Sequence, residues 1–252
     1  MKRARDLLAA AGLIALLVGV WGAAVAGGGS PIVPTPWQVV LGMVELAQQG
    51  VLLRHVTSSL FRVTTGYLLA ASLAIPLGIV MGWFPAVFAA VNPLLQILRP
   101  ISPIAWIPLA ILWFGVGDLS PVFLIFLSSF FPMAVNTTTG VHTIERQYIR
   151  ASQNFGVSGF RLFRLLILPA ALPHIIVGMR ISLGVAWLVV VAAEMIALNS
   201  GLGFLIMDSR NAGNRYDLVV ASMVLIGVIG LMLDTLMRRL ERLREVSWRY
   251  AR

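Results

Sequence analysis

Four ionisable side chains interrupt long apolar segments of this sequence: Arg62, Arg99, Arg180 and Glu194. A charge inside a hydrocarbon layer costs several kcal/mol unless it is paired or hydrated, so each one marks a candidate functional position. Arg62 and Glu194 fall in the outer parts of their segments, and we expect them to form a structural ion pair. Arg99 and Arg180 lie roughly 16 Å and roughly 14 Å from the predicted cytoplasmic ends, near the middle of a ~30 Å layer.

A guanidinium group at mid-membrane can make a pathway electropositive for a small anion. Its planar donors match nitrate, sulfonate and carboxylate geometry, and it stays charged. We therefore predict that Arg99 and Arg180 line a pathway for an anion. The alternative is that either arginine pairs with Glu194 or with backbone carbonyls.

The remaining polar and aromatic candidates are weaker. Trp106 and Asn136 could contact a solute, although a packing role fits both equally well. His142 and His174 are interpreted as packing or interfacial residues. The sequence contains no paired carboxylates, nucleophile–base set or metal-ligand cluster, so we assign no catalytic residue and no metal site.

The elements that must position these side chains are membrane-spanning helices. Hydrophobic residues make up 59% of the 252 residues and charged residues 12%, against about 25% charged in a soluble domain. The predicted fold is an all-α polytopic membrane protein, a single domain over 1–252. Each apolar block reaches the roughly 20 residues that cross a bilayer. The six predicted spans are 7–26, 57–84, 88–114, 120–142, 171–197 and 217–236.

The basic residues predict the orientation of the chain. Of 19 lysines and arginines, three lie in the N-terminal stretch, four in the 143–168 loop and six in the C-terminal tail. Because basic residues concentrate on the cytoplasmic side, both termini are predicted to be cytoplasmic. The first segment resembles a signal peptide, but its apolar run of about 20 residues exceeds the usual 7–15, which favours a retained helix.

Two outer loops and the third span carry further signals. Thr35 and Pro36 are typical of the start of a helix, and Gly50 is typical of its end. The residues between them predict an amphipathic helix that lies on the outer face of the membrane. Its apolar side would carry Trp37, Val40, Leu41, Val44 and Leu46. A second interfacial or re-entrant helix is predicted at 201–207. Prolines at 93, 100, 103 and 108 predict a kinked third span.

The cytoplasmic stretch 145–169 predicts a helix–turn–helix. Residues 147–155 can form a short helix, Gly156 allows a sharp turn, and 160–167 can form a second helix before Pro169. A compact shape of this kind fits a groove on a soluble partner.

This stretch resembles the EAA loop of binding-protein-dependent ABC import permeases, whose pattern is E-A-A, three residues, G, nine residues, I-x-L-P. Ala151, Gly156, Leu168 and Pro169 match at the correct spacing, while Arg150 and Ser152 replace Glu and Ala. The resemblance assigns the ATPase-coupling role to these six residues. Segments from Ser59 to Glu194 resemble the subfamily that serves nitrate, bicarbonate, aliphatic sulfonates and taurine.

The resemblance implies a type I importer permease with the MetI-like fold in a bacterial inner membrane. Its implied partners are a second permease copy, two cytoplasmic ATPase subunits that bind ATP and Mg²⁺, and a periplasmic or lipid-anchored binding protein, with no nucleic acid. The sequence has no phosphate-binding loop, and Lys2 is its only lysine. This chain is therefore expected to carry no cofactor and to be a transporter subunit rather than an enzyme.

Three other functions stay open at this point. The same permease could carry a different solute, such as an aromatic acid or a vitamin precursor. An ATP-independent channel or secondary transporter predicts inverted repeats, and none is evident in the sequence. A membrane enzyme would need a reactive constellation that the sequence lacks.

Overall fold

A computed structural model describes residues 2–28, 32–211 and 213–241, and these residues form helices joined by short turns. The all-helical fold class is therefore confirmed. The helices are α1 (Lys2–Gly28), α2 (Pro36–Gln48), α3 (Val51–Trp83), α4 (Pro85–Leu98), α5 (Ile107–Phe114), α6 (Leu119–His142), α7 (Arg146–Asn154), α8 (Gly159–Leu162), α9 (Leu168–Ala197), α10 (Leu202–Asn211) and α11 (Tyr216–Glu241).

Five helices in the described chain are long and apolar enough to cross a membrane: α1, α3, α6, the continuous α8–α9 helix and α11. The third predicted span is not a single kinked helix. It is broken into α4 and α5, which meet at 85° with a short 3₁₀ turn at Pro103–Trp106 between them. The break follows from proline chemistry, because Ser102 has a φ of −58° and a ψ of 131°, close to the polyproline II conformation that a residue preceding proline favours.

The centre of the fold is a bundle of α3, α6 and α9. Glycines bring the helices into close contact: a Cβ atom at Gly66 or Gly78 of α3 would lie 2.6 Å from an atom of α6. Gly140 of α6 and Gly178 of α9 allow the same close contact between α6 and α9. A Cβ at Gly140 would lie 2.7 Å from His174, and a Cβ at Gly178 would lie 2.7 Å from Asn136. Small residues of this kind allow membrane helices to pack through dispersion forces at short range.

The helix α2 starts as predicted. Thr35 Oγ1 accepts a hydrogen bond from the Gln38 amide at 3.3 Å, Thr35 N donates to Gln38 Oε1 at 2.7 Å, and Gly50 follows the helix with a φ of 69°. The apolar residues of the predicted amphipathic helix divide into two sets. Leu46 is buried together with Val39 and Gly42, whereas four predicted members of the face are exposed: Trp37, Val40, Leu41 and Val44.

The buried side of α2 packs against α11, where a Cβ at Gly42 would contact Leu218 and Ala221. Because α2 contacts α11 through the side that carries Gly42, its larger apolar residues, such as Trp37 and Leu41, remain exposed on this chain. The helix α1 joins the same cluster through Trp21.

The loop between α6 and α9 contains one separate helix rather than two. The first, α7, ends near Gly156, which turns the chain with a φ of 76° as predicted. The second predicted helix is instead continuous with α9: α8 passes through a π-helical turn at Phe163–Ile167 directly into Leu168. Pro169 has no N–H to donate to the preceding turn, which accounts for the wider turn at this place.

Candidate functional site

A buried carboxylate organises the end of the bundle where α3, α9 and α10 meet. Glu194 is fully buried. Its oxygens accept hydrogen bonds from Ser59 Oγ at 2.8 Å, from Arg62 Nη1 at 2.7 Å and from the Gly203 amide at 3.0 Å. Arg62 and Glu194, which we expected to pair, therefore lie in direct contact.

Arg62 has further partners that the sequence did not indicate. Its Nε donates to Asp118 Oδ1 at 2.8 Å, and its Nη atoms donate to the Ser200 carbonyl at 2.8 Å and the Ser200 hydroxyl at 2.6 Å. Asp118 lies just before α6, in the loop that follows α5, so one guanidinium connects four parts of the chain. The only sequence signal for Asp118 as a partner of Arg62 was that it is an acidic residue in a loop with few charges.

The same cluster fixes the first residues of α10. The Leu202 amide donates to Ser59 Oγ at 2.9 Å, and the Gly201 amide donates to His55 Nδ1 at 3.0 Å. A Cβ at Gly201 would lie 2.2 Å from Glu194 Cδ, so this close approach requires glycine. We call the group formed by Ser59, Arg62, Asp118, Glu194 and Ser200 the outer polar cluster, and it holds α10 against the bundle.

A second charged group lies between α9 and α11. Arg180 Nε donates to Asp234 Oδ1 at 2.8 Å, and Arg238 Nε donates to Asp234 Oδ2 at 2.7 Å. Sequence reasoning missed Asp234, although it falls inside the sixth predicted span. Arg180 thus pairs with an acid that neither the pathway hypothesis nor its alternative had named.

The Arg180–Asp234 pair borders a groove. A cavity of about 60 Å³ between α9 and α11 contacts Arg180, Trp187, Gly230 and Asp234, and it adjoins an open groove of about 690 Å³ that also reaches Gly184. Trp187, which lines this groove, is held in place because its indole N–H donates to the Ile226 carbonyl at 3.1 Å. The arrangement presents one guanidinium at the edge of a largely apolar cleft.

The other predicted pathway residues are not brought together with Arg180. Arg99 is exposed at the end of α4, beside the break, and has no ion-pair partner among the described residues. Trp106 packs with Trp113 at a ring distance of 6.4 Å, and Asn136 donates to the Pro132 carbonyl at 2.8 Å while filling the space beside Gly178. These contacts are those of packing residues, and a pathway role for Trp106 or Asn136 stays a prediction.

The loop between α6 and α9 presents an exposed surface around the residues of the EAA-like motif. Arg150, Ala151 and Gly156 are exposed, Ser152 is half-buried, and Leu168 and Pro169 lie half-buried at the start of α9. Beside them, Phe155 is 87% exposed and Phe160 77% exposed. Two aromatic rings in water are unfavourable, so this surface, which we call the α7 surface, has the character of a contact site for a partner.

The two histidines have packing contacts. His142 lies at the end of α6 with its ring 4.9 Å from the ring of Phe88, and His174 of α9 packs against Gly140.

Comparisons with known proteins connect these features to relatives. The chain is 42% identical over 207 residues to a putative ABC transporter permease protein of Methanocaldococcus jannaschii, covering 82% of this chain and 75% of the relative. It is 37% identical to the taurine transport system permease protein of Escherichia coli, covering 87% and 81%. It is 36% identical to the putative aliphatic sulfonates transport permease protein of Bacillus subtilis, covering 94% and 86%.

A solved structure supports the fold. A chain of the MetNI methionine ABC transporter in an inward-facing conformation superposes with a TM-score of 0.65 at 19% identity, covering 78% of this chain and 97% of that one. The MetI-like permease fold is therefore confirmed.

The family follows from the sequence. Residues 74–246 match the sequence model of the binding-protein-dependent transport system inner membrane component, a match that includes α6, the α7 surface, α9 and α11. The family implied by the EAA-like motif is thus confirmed: this chain belongs to the binding-protein-dependent transport system inner membrane components and is a permease subunit of an ABC importer.

Proposed function

We propose that this chain, with a second copy of itself, forms the translocation pathway of an importer for a small anion such as taurine, an alkanesulfonate, nitrate or bicarbonate. The observation that carries the proposal is the guanidinium of Arg180 at the edge of the α9–α11 groove. Relatives named for taurine and for aliphatic sulfonates support the same class of solute.

The charges of the groove favour an anion over a cation or a neutral solute. Among these three side chains, Arg180 and Arg238 contribute two positive charges and Asp234 contributes one negative charge. The side chain of Arg180 is 28% exposed, so it can be reached from the groove. Arg99, at the break between α4 and α5, is proposed as a second positive charge along the pathway.

In this proposal the energy comes from partner subunits. Two cytoplasmic ATPases bind ATP and Mg²⁺ and contact the α7 surface, and a binding protein delivers the solute on the other side of the inner membrane. Both termini then lie in the cytoplasm, and ATP-driven closure of the ATPases is transmitted through α7 into α9. The alternative is the same permease carrying another solute, such as an aromatic acid or a vitamin precursor.

The first prediction concerns the pathway arginines. Changing Arg180 or Arg99 to Gln is expected to lower anion uptake at least tenfold, about 1.4 kcal/mol of lost charge stabilisation, while the complex still assembles. Assembly is expected to survive because Asp234 keeps its bond to Arg238 when Arg180 is neutralised. The measurement is ATP-dependent uptake of taurine, ethanesulfonate, nitrate and bicarbonate into proteoliposomes that contain the complete complex.

Arg54→Gln is the matched control, because Arg54 is an exposed arginine of α3 away from the groove. Normal uptake by both pathway variants would overturn the proposed pathway. Uptake of an uncharged solute instead of the four anions would favour the alternative.

The second prediction concerns coupling. Phe155→Ala is expected to weaken retention of the ATPase by about tenfold or more, because an aromatic ring at a protein interface commonly contributes ~1–2 kcal/mol or more. The measurement is co-purification of the ATPase with the permease over a range of salt and detergent concentrations, together with ATP hydrolysis by the complex. Phe61→Ala, which removes a 60% exposed ring of α3, is the control. Equal ATPase retention by both variants would contradict contact at the α7 surface.

A further inference from the structure

Asp234 bonds to two arginines through different oxygens. Oδ1 accepts from Arg180 of α9, and Oδ2 accepts from Arg238, one turn further along α11. The three side chains differ in exposure: Arg180 is 28% exposed, Asp234 36% and Arg238 56%. The carboxylate therefore lies between an arginine at the groove and a more exposed arginine.

We infer that Asp234 is a resident counter-ion on Arg180 that the transported anion displaces, and that Arg238 retains the carboxylate while Arg180 is occupied. The inference rests on the proposed anion import. It adds a residue that controls how tightly the pathway holds its solute.

Each of the three charged groups keeps an oppositely charged partner in both states. With Asp234 on Arg180, the three groups carry a net charge of +1. When a monovalent anion binds Arg180, the net charge falls to zero and the carboxylate keeps its bond to Arg238. Neither the carboxylate nor the guanidinium is left unpaired within a partly apolar groove, which would be unfavourable.

The accessibility of the pair allows the exchange. The pair lies beside an open groove and both of its side chains are partly exposed in this chain, so a solute anion can reach the guanidinium. By contrast, Arg62 and Glu194 are almost completely buried with several additional hydrogen bonds, and we expect no such exchange there.

The shape of the groove indicates which anions fit. Among the described residues, no atom of another element lies within 4 Å of a Cβ built on Gly184, and a Cβ on Gly230 would meet the Trp187 ring at 3.0 Å. Room next to the guanidinium is bordered by Ile181, Val185 and Leu188. This surface suits an oxoanion with a short aliphatic part, such as an alkanesulfonate, better than a bare inorganic ion.

The test uses two substitutions with opposite expected effects. Asp234→Asn removes the competing carboxylate and keeps the shape, so the half-saturating concentration for uptake should fall about fivefold, which corresponds to ~1 kcal/mol. Arg238→Gln removes the second partner, so displacement would leave the carboxylate unpaired and the half-saturating concentration should rise about twofold. Taurine, ethanesulfonate and nitrate are the probes, in complete complexes reconstituted into phosphatidylcholine vesicles, which offer no competing anionic headgroup.

Asp217→Asn is the matched control, because Asp217 is also a carboxylate of α11 that pairs with an arginine, Arg215, at the other end of the helix. Its half-saturating concentrations should equal those of the unaltered protein. A merely structural Asp234 would give less assembled complex in both test variants with unchanged half-saturating concentrations, and this result would overturn the inference.

The inference and the proposed function can fail separately. If Arg180→Gln abolishes uptake while Asp234→Asn leaves the half-saturating concentration unchanged, the counter-ion role is wrong and the anion pathway stands. If Arg180→Gln transports normally, the pathway proposal fails as well.

Discussion

Replacing Glu194 by alanine is expected to destabilise the assembled permease by about 3–5 kcal/mol, the cost typical of removing one partner from a buried ion pair. The carboxylate is fully buried and accepts bonds from Ser59, Arg62 and the Gly203 amide. Alanine would leave these donors without their acceptor in a region that water does not reach. Because α10 is fixed by the same carboxylate, its contact with α3 and α9 should loosen first.

Glu194→Gln distinguishes charge from shape. Glutamine preserves the volume of the side chain, and its carbonyl oxygen can still accept a hydrogen bond from the Gly203 amide. Its N–H₂ group, however, would face the Ser59 hydroxyl or the Arg62 guanidinium and cannot accept a hydrogen bond from either. Its stability should therefore lie between the unaltered protein and Glu194→Ala. The double variant Arg62→Gln with Glu194→Gln should lose less than the sum of the single losses, because the two charges interact directly.

The measurement is the thermal unfolding midpoint of the purified complex in detergent, followed by tryptophan fluorescence and by size-exclusion chromatography after heating. Glu45→Ala is the control, since Glu45 is a partly exposed carboxylate paired with Arg215 at 2.6 Å, and such pairs contribute about 0–1 kcal/mol. Equal midpoints for Glu194→Ala and Glu45→Ala would show that the outer polar cluster contributes little to stability.

Gly66→Val is expected to destabilise the bundle by about 1–3 kcal/mol or more, the range for overpacking a tight core. A Cβ at this position would lie 2.6 Å from the Val122 carbonyl and 2.8 Å from Ile125 Cβ. A carbonyl of the α6 backbone has no rotamer by which to move aside, so α3 and α6 would have to separate. This separation would also shift Arg62, one turn away on α3, relative to Asp118 at the start of α6.

Gly227→Val supplies the comparison, because a Cβ built on Gly227 of α11 has no atom of another described element within 4 Å. Both variants exchange the same residue types within a membrane helix, so the difference in their unfolding midpoints isolates the close contact between α3 and α6. The packing argument fails if Gly66→Val unfolds at the same temperature as Gly227→Val.

Several elements could be predicted because their signals are local. The start of α2 depends on Thr35, Pro36 and Gln38, which interact across a single turn. The turn at Gly156 depends on one residue that adopts a positive φ without strain. The EAA-like motif identified the family, since its residues lie in one continuous stretch. In each case the interacting groups are neighbours in the chain.

Features that depend on neighbouring elements could not be predicted in full. The side of α2 that packs against α11, with Val39, Gly42 and Leu46, was not predicted, because the two helices are far apart in the chain. The helix over 160–167 was predicted, but its continuity with α9 through a π-helical turn was not. The third span was expected to kink and is instead broken at 85°. The prolines gave the position of this break but not its angle, which depends on what α4 and α5 contact.

Long apolar segments and a contiguous loop motif predicted a membrane-spanning ABC importer permease, because recognising them requires no knowledge of contacts. The sequence also marked Arg62, Arg99, Arg180 and Glu194 as charges inside apolar segments. The partners of these charges depend on how the helices pack. Asp118 lies 56 residues from Arg62 and Asp234 lies 54 residues from Arg180, and these carboxylates meet their arginines only because glycine-mediated packing sets which helix faces adjoin.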